Sequence, residues 1–224
     1  MSETVAPIRC LIIDDHRMFA DSLSRLLDDE HDIEVVGVIG EGGAAAQQAI
    51  ALEPHVVLVD YQMPGADGVE IARAIKHQRP EIMVVMITGS NDDRVLLAAI
   101  DAGCSGFMTK DRAASEVAGA VRGAAAGEAL ISPALLSRLL PKLSRTYRTV
   151  GDDLTKRELD TLRYLAKGIP NKVIASEMNL SLSTVRNYVQ SVLSKLGAHS
   201  KLEAVSMAVR AGIIDYADQP DPAN

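Results

Sequence analysis

From Arg9 to Gly127 the chain alternates short β-branched apolar runs with amphipathic or alanine-rich stretches, and this alternation restricts its fold more than any other feature. Apolar runs separated by helical stretches mark repeated βα units, whose strands pair in parallel. Strands are expected near 9–13, 34–38, 56–60, 83–88 and 105–108, with helices near 17–28, 43–52, 68–78, 91–102 and 113–126. Val56 to Val59 and Met83 to Ile87 contain no polar residue, so helices should cover both faces of those strands. The expectation is an α/β domain over 8–127 built on a five-stranded doubly wound parallel sheet.

The strand ends carry the chemistry. Asp14 and Asp15 close the first run, Asp60 the third and Thr88 the fourth, and Lys110 lies just past the fifth. Ligands of open α/β sheets bind beyond the carboxyl ends of the strands, where strand order reverses. With the flavodoxin-like order 2-1-3-4-5, Asp14 and Asp15 lie beside Asp60. Three carboxylates in one small space repel one another unless a hard cation joins them, and oxygen ligands with room for water suit Mg²⁺. Taken singly, Asp60 reads as a turn former, Thr88 as a strand former and Lys110 as a solvated lysine. Together they point to a site that handles a phosphoryl group.

Charge divides the chain. Residues 1–128 hold ten Lys and Arg against twenty-one Asp and Glu, whereas residues 155–214 hold nine against four, so an acidic half precedes a basic one suited to a polyanion. Between them, 128–153 reads as a linker containing a short helix that Ser132 and Pro133 start and Pro141 stops. From Leu154 to Ile214 the pattern is wholly helical. Thr155 with Glu158 and Ser200 with Glu203 fit the capping box, and Gly168 and Gly212 are plausible helix stops. Residues 215–224 read as a mobile polar tail. Cys10 and Cys104 lie in or beside apolar runs and are expected to be buried and reduced. No basic and then apolar leader is present, and no apolar stretch approaches the about 20 residues that span a bilayer, so a soluble cytoplasmic protein without a membrane partner is expected.

Asp14 with Asp15, the run Asp60, Tyr61, Gln62, Met63, Pro64 with Gly68 beyond it, Thr88 followed by Gly89, and Lys110 together resemble the receiver domain of two-component response regulators. The resemblance implies that Asp60 accepts a phosphoryl group from a histidine kinase. It further implies that Asp14, Asp15, Asp60 and the Gln62 backbone carbonyl hold Mg²⁺, that Lys110 contacts the phosphoryl group, and that Thr88 donates to it. Phe107 takes the place of the aromatic that turns when such a domain switches.

Residues 154–214 resemble the four-helix, helix-turn-helix domain of LuxR-type regulators. The carrying residues are Leu154 to Glu158, Gly168 with Asn171 to Ala175, Ser183 to Asn187, and Leu196-Gly197 with Ser200 to Ala204. With the receiver, this implies a member of the NarL/FixJ class. At 100° per residue Val185, Val189, Val192, Leu193 and Leu196 share one arc, and Ser183, Arg186, Asn187, Gln190 and Ser194 the opposite one. Arg186 and Asn187 are the expected base readers, since Arg pairs bidentately with guanine and Asn with adenine, and Gln190 is a third contact. Lys172, Thr184, Lys195 and Lys201 are expected on phosphates. Leu202, Val205 and Val209 of the last helix read by themselves as packing within their own domain, and the resemblance implies that part of this face mediates dimerisation on DNA, with half-sites about 10 base pairs apart.

The expected function is a phosphorylation-controlled DNA-binding transcription regulator that forms a homodimer when phosphorylated or bound to double-stranded DNA. It is not an enzyme beyond its own phosphorylation and dephosphorylation. Two alternatives are a phosphorylation-independent DNA-binding protein with a vestigial receiver and an Mg²⁺-dependent phosphatase. The second fits poorly, because Asp14 and Asp15 are adjacent while the nucleophile candidate lies on another strand.

Overall fold

A computed structural model describes residues 6–89, 92–140 and 154–214, which fall into two compact units divided after Leu130. The expected linker stretch 141–153 and tail 215–224 lie outside the described residues.

The first unit runs β1 (Ile8–Ile13), α1 (Arg17–Asp28), β2 (Ile33–Ile39), α2 (Ala45–Leu52), β3 (Val56–Asp60), α3 (Gly68–Gln78), β4 (Met83–Thr88), α4 (Asp93–Asp101), β5 (Gly106–Thr109) and α5 (Lys110–Ala125). The five strands form one parallel sheet in the order β2-β1-β3-β4-β5, the arrangement read from the sequence. Side-chain alternation sorts the apolar runs into two layers. Cys10, Ile12, Val56, Leu58, Val85 and Ile87 pack with Ala20, Leu23 and Leu27 of α1 and with Ala113, Val117, Val121 and Ala124 of α5. The intervening Leu11, Val57, Val59, Val84 and Met86 are fully buried, and α3 and α4 bury Ile71, Ala72, Ile75, Leu96, Ala99 and Ile100. Helices on both faces leave the carboxyl edge of the sheet as the place where polar side chains can gather. Cys10 and Cys104 are both buried free thiols, and burial pushes Cys10 up to about 12.

Three details differ from expectation. The α5 helix starts at Lys110, three residues earlier than its apolar spacing indicates, because its first turn, Lys110-Asp111-Arg112, has no apolar residue to signal helix. The α2 helix is preceded by a 3₁₀ turn, Gly42–Ala44. The first unit also extends past 127: Leu130 forms a parallel bridge to Gly106, donating its N–H to Ser105 O at 3.0 Å and accepting from Phe107 N–H at 3.1 Å. Gly106 makes that approach possible, since a Cβ there would sit 2.3 Å from Leu130 Cβ.

The second unit contains α6 (Pro133–Leu139), α7 (Lys156–Ala166), α8 (Asn171–Glu177), α9 (Leu182–Leu196) and α10 (Lys201–Arg210). Ser132 caps α6, with Pro133 in its first turn. The capping box at Thr155 and Glu158 is complete. The second box is only half formed: Ser200 Oγ accepts from Glu203 N–H, but the Glu203 carboxylate reaches one residue further back, to His199 N–H at 2.6 Å. Helix α9 packs against α7, α8 and α10 through Val185, Val189, Val192 and Leu196. Leu193, read as part of that face, is only partly buried. Among the described residues no helix is long and apolar enough to cross a membrane.

Candidate functional site

At the carboxyl edge of the sheet, Asp14 and Asp15 follow β1, Asp60 ends β3, Thr88 ends β4, and Lys110 opens α5. Asp14, Asp60 and Thr88 are only 2–3% exposed. The Lys110 ammonium donates to Asp14 Oδ2 and to Asp60 Oδ2, each at 2.8 Å, so a residue 96 positions from one acid and 50 from the other closes the site. Lys110 also lies over the Phe19 ring, 4.8 Å from its centroid. Asp60 receives a long hydrogen bond, 3.4 Å, from Gln62 N–H. Gly68 holds the start of α3 against β3; a Cβ there would stand 2.1 Å from Asp60 O, so no other residue fits without moving the backbone that carries Asp60. Asp67 caps α3 by accepting from Val69 and Glu70 N–H, which fixes that approach.

Burial pushes the Asp60 carboxyl above its ordinary range; the Lys110 hydrogen bond pulls it down, the neighbouring Asp14 charge pushes it up again, and the net direction is upward. Burial lowers Lys110, but its hydrogen bonds to Asp14 and Asp60 outweigh that and keep it charged. The acids and the lysine expected together therefore meet. Phe107 is buried on β5 opposite Met86, and Thr88 pairs with Thr109 at the strand ends.

His16 belongs to this cluster as well. Its Nδ1 lies 2.9 Å from Asp15 Oδ1, 3.3 Å from Asp14 Oδ1 and 3.6 Å from Asp60 Oδ2. The sequence signal for it is adjacency to the acid pair, which an unpatterned histidine does not advertise. Although His16 Nδ1 is close, Asp15 Oδ1 is buried and accepts no hydrogen bond. One donor atom from each of Asp14, Asp15, His16 and Asp60 lies within 4.8 Å of the others. A buried carboxylate oxygen without a donor, among further carboxylates, fits a divalent cation.

In the second unit, Ser181 caps α9 by accepting from Thr184 N–H at 3.1 Å, and its hydroxyl is 2.7 Å from Thr184 Oγ1. Ser183, Arg186, Asn187, Gln190 and Ser194 are exposed along one side of α9, while Lys172 is exposed on α8. Two of the expected phosphate contacts are engaged or buried within the unit. Lys195 is turned inward, with Nζ 2.7 Å from Glu158 Oε2, and Lys201 is buried, 6% exposed, in the first turn of α10. Of the residues expected in dimerisation, Leu202, Val205 and Val209 are 2%, 1% and 8% exposed in the single chain, and α10 packs against α7 and α9. An apolar helix face does not announce which neighbour covers it. Glu158, legible only as a capping residue, also accepts from Ser191 Oγ at 2.5 Å. Burial pushes Glu158 up, but its bonds from Lys195, Ser191 and Thr155 prevail and hold it at about 2.

Comparison with known proteins agrees with this geometry. Residues 10–122 match the response regulator receiver domain, and residues 152–208 match the luxR family of bacterial regulatory proteins. The response regulator protein VraR of Staphylococcus epidermidis is 35% identical over 207 residues, covering 92% of this chain and 99% of its own. The signal receiver domain of a putative response regulator NarL from Mycobacterium tuberculosis is 31% identical with a TM-score of 0.53, covering 55% of this chain and 100% of that one. A structure of two RcsB dimers bound to two parallel DNAs is 26% identical with a TM-score of 0.54, covering 91% of this chain and 98% of that one. Two matched domains in this order, and a relative that aligns along nearly its whole length, identify the chain as a response regulator that joins a receiver domain to a LuxR-family DNA-binding domain.

Proposed function

We propose that Asp60 is the phosphoacceptor of a transcription regulator, taking a phosphoryl group from a histidine kinase and thereby altering dimerisation and DNA binding. The observation that carries this reading is the Lys110 ammonium seated between Asp14 and Asp60 at the open edge of the sheet. In the transfer, an Asp60 carboxylate oxygen attacks phosphorus, the bond from phosphorus to the kinase imidazole breaks, and the imidazole nitrogen leaves with the electron pair. Lys110 then follows the negative charge from the carboxylate to the phosphoryl oxygens, and Thr88 donates its hydroxyl to one of them. The inward movement of Thr88 opens space for the Phe107 ring, so the switch is a shift between two packings.

Asp14, Asp15, Asp60 and the Gln62 carbonyl would hold Mg²⁺, which when bound neutralises charge on the transferring oxygens. In the second unit, Arg186, Asn187 and Gln190 read bases, and Lys172 and Thr184 set the register on phosphates. We place the receiver at 8–130 and the DNA-binding domain at 154–214, with the residues between them as linker, and the protein in the cytoplasm, working as a homodimer on DNA. Its chemistry is confined to Asp60, with no turnover of a separate substrate.

Intact mass after incubation with acetyl phosphate and Mg²⁺ tests the assignment. The wild type gains one phosphoryl group and Asp60→Asn gains none; labelling of Asp60→Asn to the wild-type level overturns the acceptor role. Turnover of a small phosphomonoester would instead revive the phosphatase alternative. Equal DNA affinity with and without a phosphoryl mimic would favour the vestigial receiver.

A further inference from the structure

His16 occupies the N-cap position of α1, yet its side chain makes no capping hydrogen bond. Its side chain is 63% exposed, so packing does not explain where the ring sits. The ring instead leans over the acids, with Nδ1 within 3.6 Å of oxygens from Asp14, Asp15 and Asp60. Lys110 Nζ is 3.4 Å from the same Nδ1. A cationic group, the Lys110 ammonium, thus already sits among Asp14 Oδ2, Asp60 Oδ2 and His16 Nδ1.

We infer that His16 Nδ1 is a fourth side-chain donor to the divalent cation of this site, so that the site favours a borderline cation such as Co²⁺ over Mg²⁺ more strongly than oxygen donors alone would. The inference rests on the acidic-site reading above. Imidazole nitrogen suits the later first-row metals, whereas carboxylate, carbonyl and water oxygens suit Mg²⁺. The span of 4.8 Å that contains one donor atom from each of the four residues is only slightly wider than the distance of about 4 Å between opposite ligands of an octahedral ion bound at about 2.1 Å. Small side-chain movements therefore close the set around one ion. Asp15 Oδ1, which accepts no hydrogen bond, is the carboxylate oxygen nearest that nitrogen. What His16 adds is selectivity among cations; the acids alone suffice to hold Mg²⁺.

The test titrates the full chain with Co²⁺, followed by visible absorption, and with Mg²⁺ in competition. His16→Ala should weaken Co²⁺ by about tenfold and Mg²⁺ by less than about twofold, and should change the Co²⁺ absorption band, as loss of a nitrogen ligand does. His16→Gln keeps a polar side chain of similar reach without an imidazole nitrogen, and should follow His16→Ala. Equal weakening of both cations, no weakening of Co²⁺, or a His16→Gln variant that keeps the wild-type preference would overturn the inference while leaving the acidic site standing. If the wild type bound neither cation, the acidic-site reading and this inference would fall together.

Discussion

Each unit contains a buried carboxylate paired to a lysine from a different element, and the two carboxyls are tuned in opposite directions. Asp60 and Glu158 are 3% and 6% exposed, and their lysines, Lys110 and Lys195, 21% and 26%, so surface exposure does not separate the pairs. Their other neighbours do. Asp60 has a second acid, Asp14, sharing its lysine, and the bond it receives from Gln62 is long; its carboxyl is pushed up. Glu158 adds Ser191 Oγ at 2.5 Å and Thr155 N–H at 2.7 Å to its lysine, and is held at about 2. A carboxylate with more donors than burial demands acts as a staple between helices. One with fewer donors keeps electrostatic free energy that a cation or a phosphoryl group can relieve.

The largest effect that this contrast predicts is on the staple. Glu158→Ala removes the Lys195 ion pair and half of the capping box, and should cost about 2–4 kcal/mol, read as lost hydrogen-exchange protection in α7 and α9 of the full chain. The pH dependence follows the same pair. Because folding holds Glu158 at about 2, below its usual 4.5, its contribution is complete above pH 4.5 and is lost as pH falls from there toward 2. Glu158→Gln should flatten that part of the stability profile; an unchanged slope would show that the pair is not the staple described.

A second comparison separates the exposed and inward cations of the DNA-binding unit. Arg186→Ala should cost about 1–3 kcal/mol of binding and relax preference at one base position. Lys195→Ala, by contrast, should leave the salt dependence of binding as it is, since Lys195 already neutralises Glu158. A shallower salt slope for Lys195→Ala would return it to the phosphate contacts.

The smallest effect has the opposite sign to the first. Without divalent cations, Asp60→Asn removes one of two like charges around Lys110 and should stabilise the first unit by up to about 1 kcal/mol. A loss of similar size on thermal melting would mean that the Asp60 pair is a staple as well.

Much of this was legible in the residues, and the misses share a cause. Sheet order and layers follow from runs such as Val56 to Val59, where composition and period agree. The site acids and Lys110 each sit where a strand stops, so topology alone assembles them. The inward placement of Lys195 and Lys201 was not legible, because a charged side chain signals solvent until a partner or a packed turn is known, and Glu158 lies 37 residues from its lysine. Leu202, Val205 and Val209 show a helical face but not its occupant. His16 carries no periodicity, and Leu130 lies in the run Ala129 to Ile131, too short to read as a strand in a stretch that otherwise reads as linker.

The Leu130 bridge has a mechanical consequence. Leu130 is the last residue of the first unit, and both of its main-chain groups are fastened to β5, one to Ser105 and one to Phe107. The strand that carries Phe107 and the chain that leaves the unit are therefore tied by main-chain hydrogen bonds. A displacement of the Phe107 backbone pulls on residue 131 directly, and needs no side-chain contact to be passed on.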